Sequence, residues 1–218
     1  MRTKIFTKDK NYTFSDYFEM SHPTREILAA FDYHYAFEEI CLPQTDLEIG
    51  SLDKLRNTYI KKLPLISLNS EASRREFYLS PFLLELLEYI HAEINVEYPL
   101  NAGQHLSGNI DYLIEYTSRM VMIEAKKGDI EKGFNQLAVE LIALDKLSDS
   151  LSERLYGIIT LGDIWRFAQL DRREKLLRKD MNAYVLPADL ERIFSAVLGI
   201  LGAHHAHSVE DNLSDSKV

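Results

Sequence analysis

Asp111, Glu124 and Lys126 put two hard oxygen donors and an ammonium group into one short stretch, GNIDYLIEYTSRMVMIEAKKG. Around them the apolar residues alternate with period two: Ile110, Tyr112, Ile114 and Tyr116, then Val121, Ile123 and Ala125. That pattern predicts two successive strands joined by a turn centred on Thr117-Ser118. In this register Asp111 lies across from Glu124, and Asn109 across from Lys126. Opposed residues of a hairpin point to one side of the sheet. One face therefore reads Asp111, Leu113, Glu115, Met120, Met122, Glu124 and Lys126, and the other carries the alternating apolar set. A slip of one residue would turn the apolar set outward, which supports the register.

Opposed strand residues have Cα atoms about 4.5 to 5.5 Å apart, too close for two ionised carboxylates unless one takes a proton or a cation sits between them. A divalent ion such as Mg²⁺, with Mn²⁺ as a substitute, uses one or two carboxylates together with phosphate and water oxygens. Lys126, on the same face, can stabilise a phosphorane or orient an attacking water. These are the parts of phosphodiester hydrolysis. The same residues also fit a plainer reading, an exposed charge cluster on an open sheet face with little energetic weight.

The elements that must hold this hairpin follow from periodicity and punctuation. Pro23 opens a helix over residues 23–31, and Ser51 caps another that ends before Pro64. Between them Tyr33, Tyr35 and Phe37 alternate like a strand. Asn69 or Ser70 caps a helix through Tyr78, and Pro81 starts a second helical stretch, FLLELLEYIHAEI. Gly128 breaks the second strand of the hairpin, after which Ile130, Phe134, Leu137, Leu141 and Leu144 trace a helical stripe to about Leu147, suited to packing on a sheet. YGIITL reads as a buried strand, Gly162-Asp163 as a turn and WRFAQL as a further strand. Pro187 leads into a final helix through IFSAVLGIL, and HHAHSVEDNLSDSKV frays into solvent.

An aspartate entering one strand, followed by Glu124-Ala125-Lys126 on the next, resembles the PD-(D/E)XK or restriction-endonuclease-like superfamily. The resemblance runs over residues 69–170. It implies an α/β fold: a restriction-endonuclease-like core with a central mixed β-sheet flanked by helices, preceded by an N-terminal helical extension. It also implies that an acidic residue of a preceding helix joins Asp111 and Glu124 in binding one or two metal ions, while Lys126 assists hydrolysis. In SEASRREFYLSPFLLELL that helix acid is Glu71, with Glu76 as the other candidate. Ser73-x-x-Glu76 also reads as a capping box, and Glu76 shares a stripe with Ala72, Leu79 and Leu83 that would leave it partly buried. Gln136 in GFNQLAVEL resembles the glutamine that such nucleases place on the helix after E-x-K, although an ordinary solvated amide fits as well. Ile110 stands where the family often has proline. The expected activity is Mg²⁺-dependent nuclease action on nucleic acid, DNA by expectation, with endo or exo polarity open. The alternative is a catalytically silent nuclease-fold module that binds nucleic acid or a protein partner.

At 218 residues with 46% hydrophobic content, the chain can build one proper core. The expected division is a mainly helical segment over residues 1–65 packed on a nuclease core of residues 66–203, then a flexible tail of residues 204–218. A single cysteine, Cys41, excludes an internal disulfide, and MRTKIFTKDKNYTF offers no apolar signal or anchor, so a cytoplasmic protein without membrane association is expected. The net charge of -9 opposes polyanion binding. Arg166, Arg172, Arg173, Lys175, Arg178 and Lys179, set against Asp171 and Glu174, read either as a local basic patch or as a solvated helix of mixed charge. His204, His205 and His207 fit a mobile histidine tail better than a zinc site. Trp165 and Phe167 are packing residues before they are stacking platforms for bases. The lack of a separate DNA-recognition module leaves room for a homodimer or a partner subunit.

Overall fold

The computed structural model describes residues 5–7, 10–126, 128–148 and 152–204. Helices α1 (Phe14–Glu19) and α2 (Thr24–Ala29) come first, followed by strand β1 (His34–Glu38) and helix α3 (Asp53–Lys62). The strand expected from Tyr33, Tyr35 and Phe37 is therefore present. It pairs in parallel with a late strand, β7, introduced below. The Ser51 hydroxyl accepts from the backbone N–H of Asp53 at the start of α3, and Pro64 follows its end.

Helix α4 (Glu71–Arg74) is capped by Ser70, whose hydroxyl accepts from the Ser73 N–H, so the reciprocal cap is Ser70 with Ser73 and not Ser73 with Glu76. The chain does not leave the helix after Tyr78. It passes through a single π-helical turn, Arg75–Leu79, into α5 (Ser80–Leu87). Pro81 explains the turn, because its ring clashes with a carbonyl four residues earlier and it has no N–H to donate. The expected helix over residues 82–94 stops at Leu87, and residues 93–101 form strand β2 (Glu93–Asn101) instead. Strand β2 ends the sheet, which is the place where a strand tolerates a proline such as Pro99.

Strands β3 (Ser107–Tyr116) and β4 (Arg119–Ala125) form the expected hairpin, with Tyr112 opposite Ile123 and Ile114 opposite Val121. Helix α6 (Ile130–Leu147) follows, started by the Asp129 carboxylate, which accepts from the N–H groups of Glu131 and Lys132. It connects β4 to its parallel neighbour β5 (Arg154–Thr160), a pairing that needs such a crossover. Strands β6 (Ile164–Asp171), β7 (Leu176–Asp180) and β8 (Tyr184–Val185) and helix α7 (Leu190–Leu201) complete the order. The basic segment is thus a β6–β7 hairpin and not a helix.

The eight strands make one mixed α/β sheet in the order β1-β7-β6-β5-β4-β3-β2, with β8 paired to β6. Helices cover both sides. Residues from α3, α5 and α7 build one core with Tyr112, Ile114, Val121, Ile123 and Ala125. Residues from α1, α2 and α6 build the other with Leu113 and Met122. Ile110 departs from the expected alternation and packs in the second core. Helix α6 is buried from Gly133 to Leu144 because α1 and α2 lie over the side that the sheet leaves open. Among the described residues no helix is long and apolar enough to cross a membrane. Trp165 and Phe167 are buried packing residues. His205 and His207 lie outside the described residues, and His204 Nδ1 is 3.2 Å from the Asp46 carboxylate.

Candidate functional site

Strand β3 loosens at Asp111. Its pairing with β4 runs only as far as Tyr112 and Ile123, so Asn109 and Lys126 are not a ladder pair. On the other side the pairing with β2 skips Glu97, which has a positive φ of 53°. Asp111 is therefore free of backbone pairing to both neighbours, and its side chain takes up the contacts. Oδ2 accepts from the Ala125 N–H at 2.9 Å, the position beyond Glu124 on β4. Oδ1 accepts from the Arg75 guanidinium at 3.3 Å. Arg75, on the π-helical turn, also donates to the Tyr112 hydroxyl and lies 5.0 Å from the Tyr112 ring centre.

Glu124 is 1% exposed. Its Oε1 accepts from Gln136 Nε2 at 2.6 Å and meets Lys126 Nζ at 2.5 Å. Its Oε2 is buried without a hydrogen-bond partner. Lys126 is held just beyond β4 by its backbone N–H, which donates to the Thr160 carbonyl. Its stem lies against Gly133, where a Cβ would come within 2.9 Å of Lys126 Cγ and 2.4 Å of Ile159 Cδ1. Its ammonium is 5.6 Å from the centre of the Phe18 ring on α1.

Of the two helix acids, Glu71 is half-buried, and its charge acts on both Glu124 and Lys126. Glu76 is exposed, contrary to the burial expected from its stripe, as is Ala72 of the same stripe. The hairpin and α6 thus bring Asp111, Glu124, Lys126 and Gln136 together, with Glu71 of α4 near enough for its charge to act on Glu124 and Lys126.

Two residues of the site were not read from sequence. Arg75 was one; only tertiary packing carries it to Asp111. Glu140 was the other, although an acid inside the apolar run LAVELIAL, four residues from Gln136, is a visible signal. Gln136 Nε2 donates to Glu140 Oε1 at 2.9 Å as well as to Glu124, so one amide bridges two buried carboxyls.

Burial, and next the Asp111 charge, push Glu124 up to about 8, with Lys126 only partly offsetting them. Burial likewise holds Glu140 well above the usual carboxylate range, with Glu124 adding to it. For Lys126 burial opposes the charge, but Glu124, Glu71 and Asp111 outweigh it and raise its pKa. The rise in Lys126 belongs to the ionised form of Glu124, and the rise in Glu124 governs which form is present. With 1% exposure and other acids beside it, Glu124 keeps a proton into the neutral range until more positive charge arrives.

The donor chemistry fits a hard cation: the acids are oxygen donors, and Glu124 Oε2 is a buried acceptor with nothing to accept from. Among the described residues, however, no three His, Cys, Asp or Glu side chains are grouped as a ready-made metal cage. Arg75 and Lys126 occupy the carboxylates instead.

Half of the basic segment is paired with acids, while Arg173 and Lys175 are exposed. Arg172 pairs with Asp145, Arg178 with Glu38 and Glu174, and Lys179 with Glu131. No protein-family model matches the chain, and no curated protein matches it in sequence.

Proposed function

We propose that this protein is a nuclease of the PD-(D/E)XK kind, hydrolysing phosphodiesters of nucleic acid, DNA by expectation, with Mg²⁺ or Mn²⁺. The observation that carries the proposal is Glu124: a carboxylate 1% exposed, beside Asp111 and Lys126, with one oxygen left unpartnered. A fold does not keep such a group for stability, since burying a carboxyl with an unpartnered oxygen is costly. Asp111 and Glu124, with Glu71 contributing, would hold the ion. Bound there, it supplies Lewis-acid polarisation of a phosphoryl oxygen and neutralises developing charge. Lys126 directs its ammonium at the attacking water or the phosphorane oxygens. Gln136 fixes the orientation of the Glu124 carboxylate, and Arg75 must release Asp111 as the cation arrives.

Purified protein incubated with plasmid, linear duplex and single-stranded DNA and with RNA in Mg²⁺ or Mn²⁺ tests this reading. Cleavage is expected, and Asp111→Ala is expected to abolish it. No cutting of any substrate, or cutting by Asp111→Ala at the parent rate, sinks it. One observation favours a binding module without chemistry: the acids are already taken by Arg75 and Lys126. Calorimetric titration with Mn²⁺ separates the two, because a silent module with a closed ion-pair cluster takes up no ion.

A further inference from the structure

Glu140 is fully buried in the middle of α6, among the apolar residues Leu137, Leu141 and Leu144. Its one hydrogen bond comes from Gln136 Nε2 at 2.9 Å, and its Oε2 has no partner. A methionine or leucine of similar volume would satisfy this position better, because an apolar side chain needs no partner in a core. The fold therefore gives no structural reason for a carboxyl at 140.

The Gln136 amide supplies the reason. Its two N–H groups point at two acceptors, Glu124 Oε1 and Glu140 Oε1. The amide is set with its NH₂ group between the two carboxyls, an orientation that an acceptor at each Oε1 favours over the flipped one. Glu140 thus holds the NH₂ group towards Glu124. Glu124 Oε1 is then saturated by Gln136 and Lys126, and Oε2 is the oxygen left available.

We infer that Glu140 is a positioning residue for the metal site: acting through Gln136, it orients Glu124 so that Oε2 is presented to a divalent cation. This rests on the metal-site reading above. Partners one step removed from a metal ligand govern its affinity by about 10- to 100-fold when removed.

The test compares the parent with Glu140→Met, Glu140→Gln, Gln136→Met and the Gln136→Met/Glu140→Met double variant. Each is measured by thermal melting in chelator and by calorimetric titration with Mn²⁺. Glu140→Met is expected to melt no lower than the parent yet bind Mn²⁺ about 10- to 100-fold more weakly. Glu140→Gln keeps an oxygen that can accept from Gln136, so its affinity is expected within about 3-fold of the parent, inside the span that separates it from Glu140→Met. The double variant is expected to bind as Gln136→Met does, because Glu140 works through the amide. Parent-like Mn²⁺ binding by Glu140→Met overturns the inference. So does a melting temperature well below the parent's, which marks a structural role, and so does an additive double variant. A parent that binds no Mn²⁺ removes the metal-site reading itself, an outcome distinguished by the silence of the parent and not of the variants alone.

Discussion

At Glu124 one carboxyl group is asked to do two incompatible things, to sit in a core and to carry charge. Its pKa of about 8 in the fold, against an ordinary 4.5, makes a statement about stability. Between those two values the folded protein holds a proton that the unfolded chain has lost. The contribution of Glu124 to stability is therefore fully present below pH 4.5 and is lost as pH rises to about 8, by up to about 1.4 kcal/mol per pH unit. Urea denaturation of chelator-treated protein at pH 5, 6.5 and 8 is expected to show this decline. Glu124→Gln should flatten it and raise stability at pH 8 while ending cleavage. The residual slope belongs to Glu140, whose shift has the same direction. An unchanged slope in Glu124→Gln would place the titrating group elsewhere. At this scale the sequence was informative about Glu124 and Lys126, whose side chains meet as their spacing of two residues suggests. It was silent about Arg75, which is remote in sequence from the hairpin it contacts.

Among the elements, α6 and the π-helical turn do most to shape the site. The first turns of α6 approach β4 and β5 closely enough that Gly133 has no room for a Cβ beside Lys126 and Ile159. Gly133→Val is expected to lower stability by about 1–3 kcal/mol through overpacking. It should also lower cleavage by more than that loss accounts for, since the Lys126 stem is displaced. Thermal melting together with initial rates on folded protein checks both, and parent-like rates would show that Lys126 tolerates the shift. The legibility of elements followed their patterning. The hairpin, α6, β5, β6 and α7 carry sustained periodicity and were read correctly. Strand β2 was hidden behind the apolar run of α5, and its Pro99 is tolerated at the sheet edge. Strand β7, LLRKD, has no strand pattern of its own and forms because β6 and β1 supply partners on both sides.

For the whole molecule, charge is the governing quantity. The net charge of -9 repels a polyanion, and three of the six arginines and lysines that offered a basic patch are paired with acids. DNA binding is accordingly expected to require a divalent cation. Fluorescence anisotropy with a labelled duplex at 150 mM salt should show weak or no binding in EDTA and a clear gain in Ca²⁺ or Mn²⁺. Tight binding in EDTA would reveal a cationic surface that the paired arginines do not provide.

The sequence by itself carried the α/β class and the hairpin register from Tyr112 and Ile123 to the turn, because each is written in a period of two or 3.6 residues, whereas the register beyond Tyr112, at Asp111, is not kept. Only the tertiary structure showed that Glu71 is half-buried with its charge acting on Glu124 and Lys126, while Glu76 is exposed. It also decided that Glu124 and Glu140 share one amide and that Arg75 reaches Asp111. Those contacts join separate elements, and contact between elements is set by packing, which a local pattern does not encode.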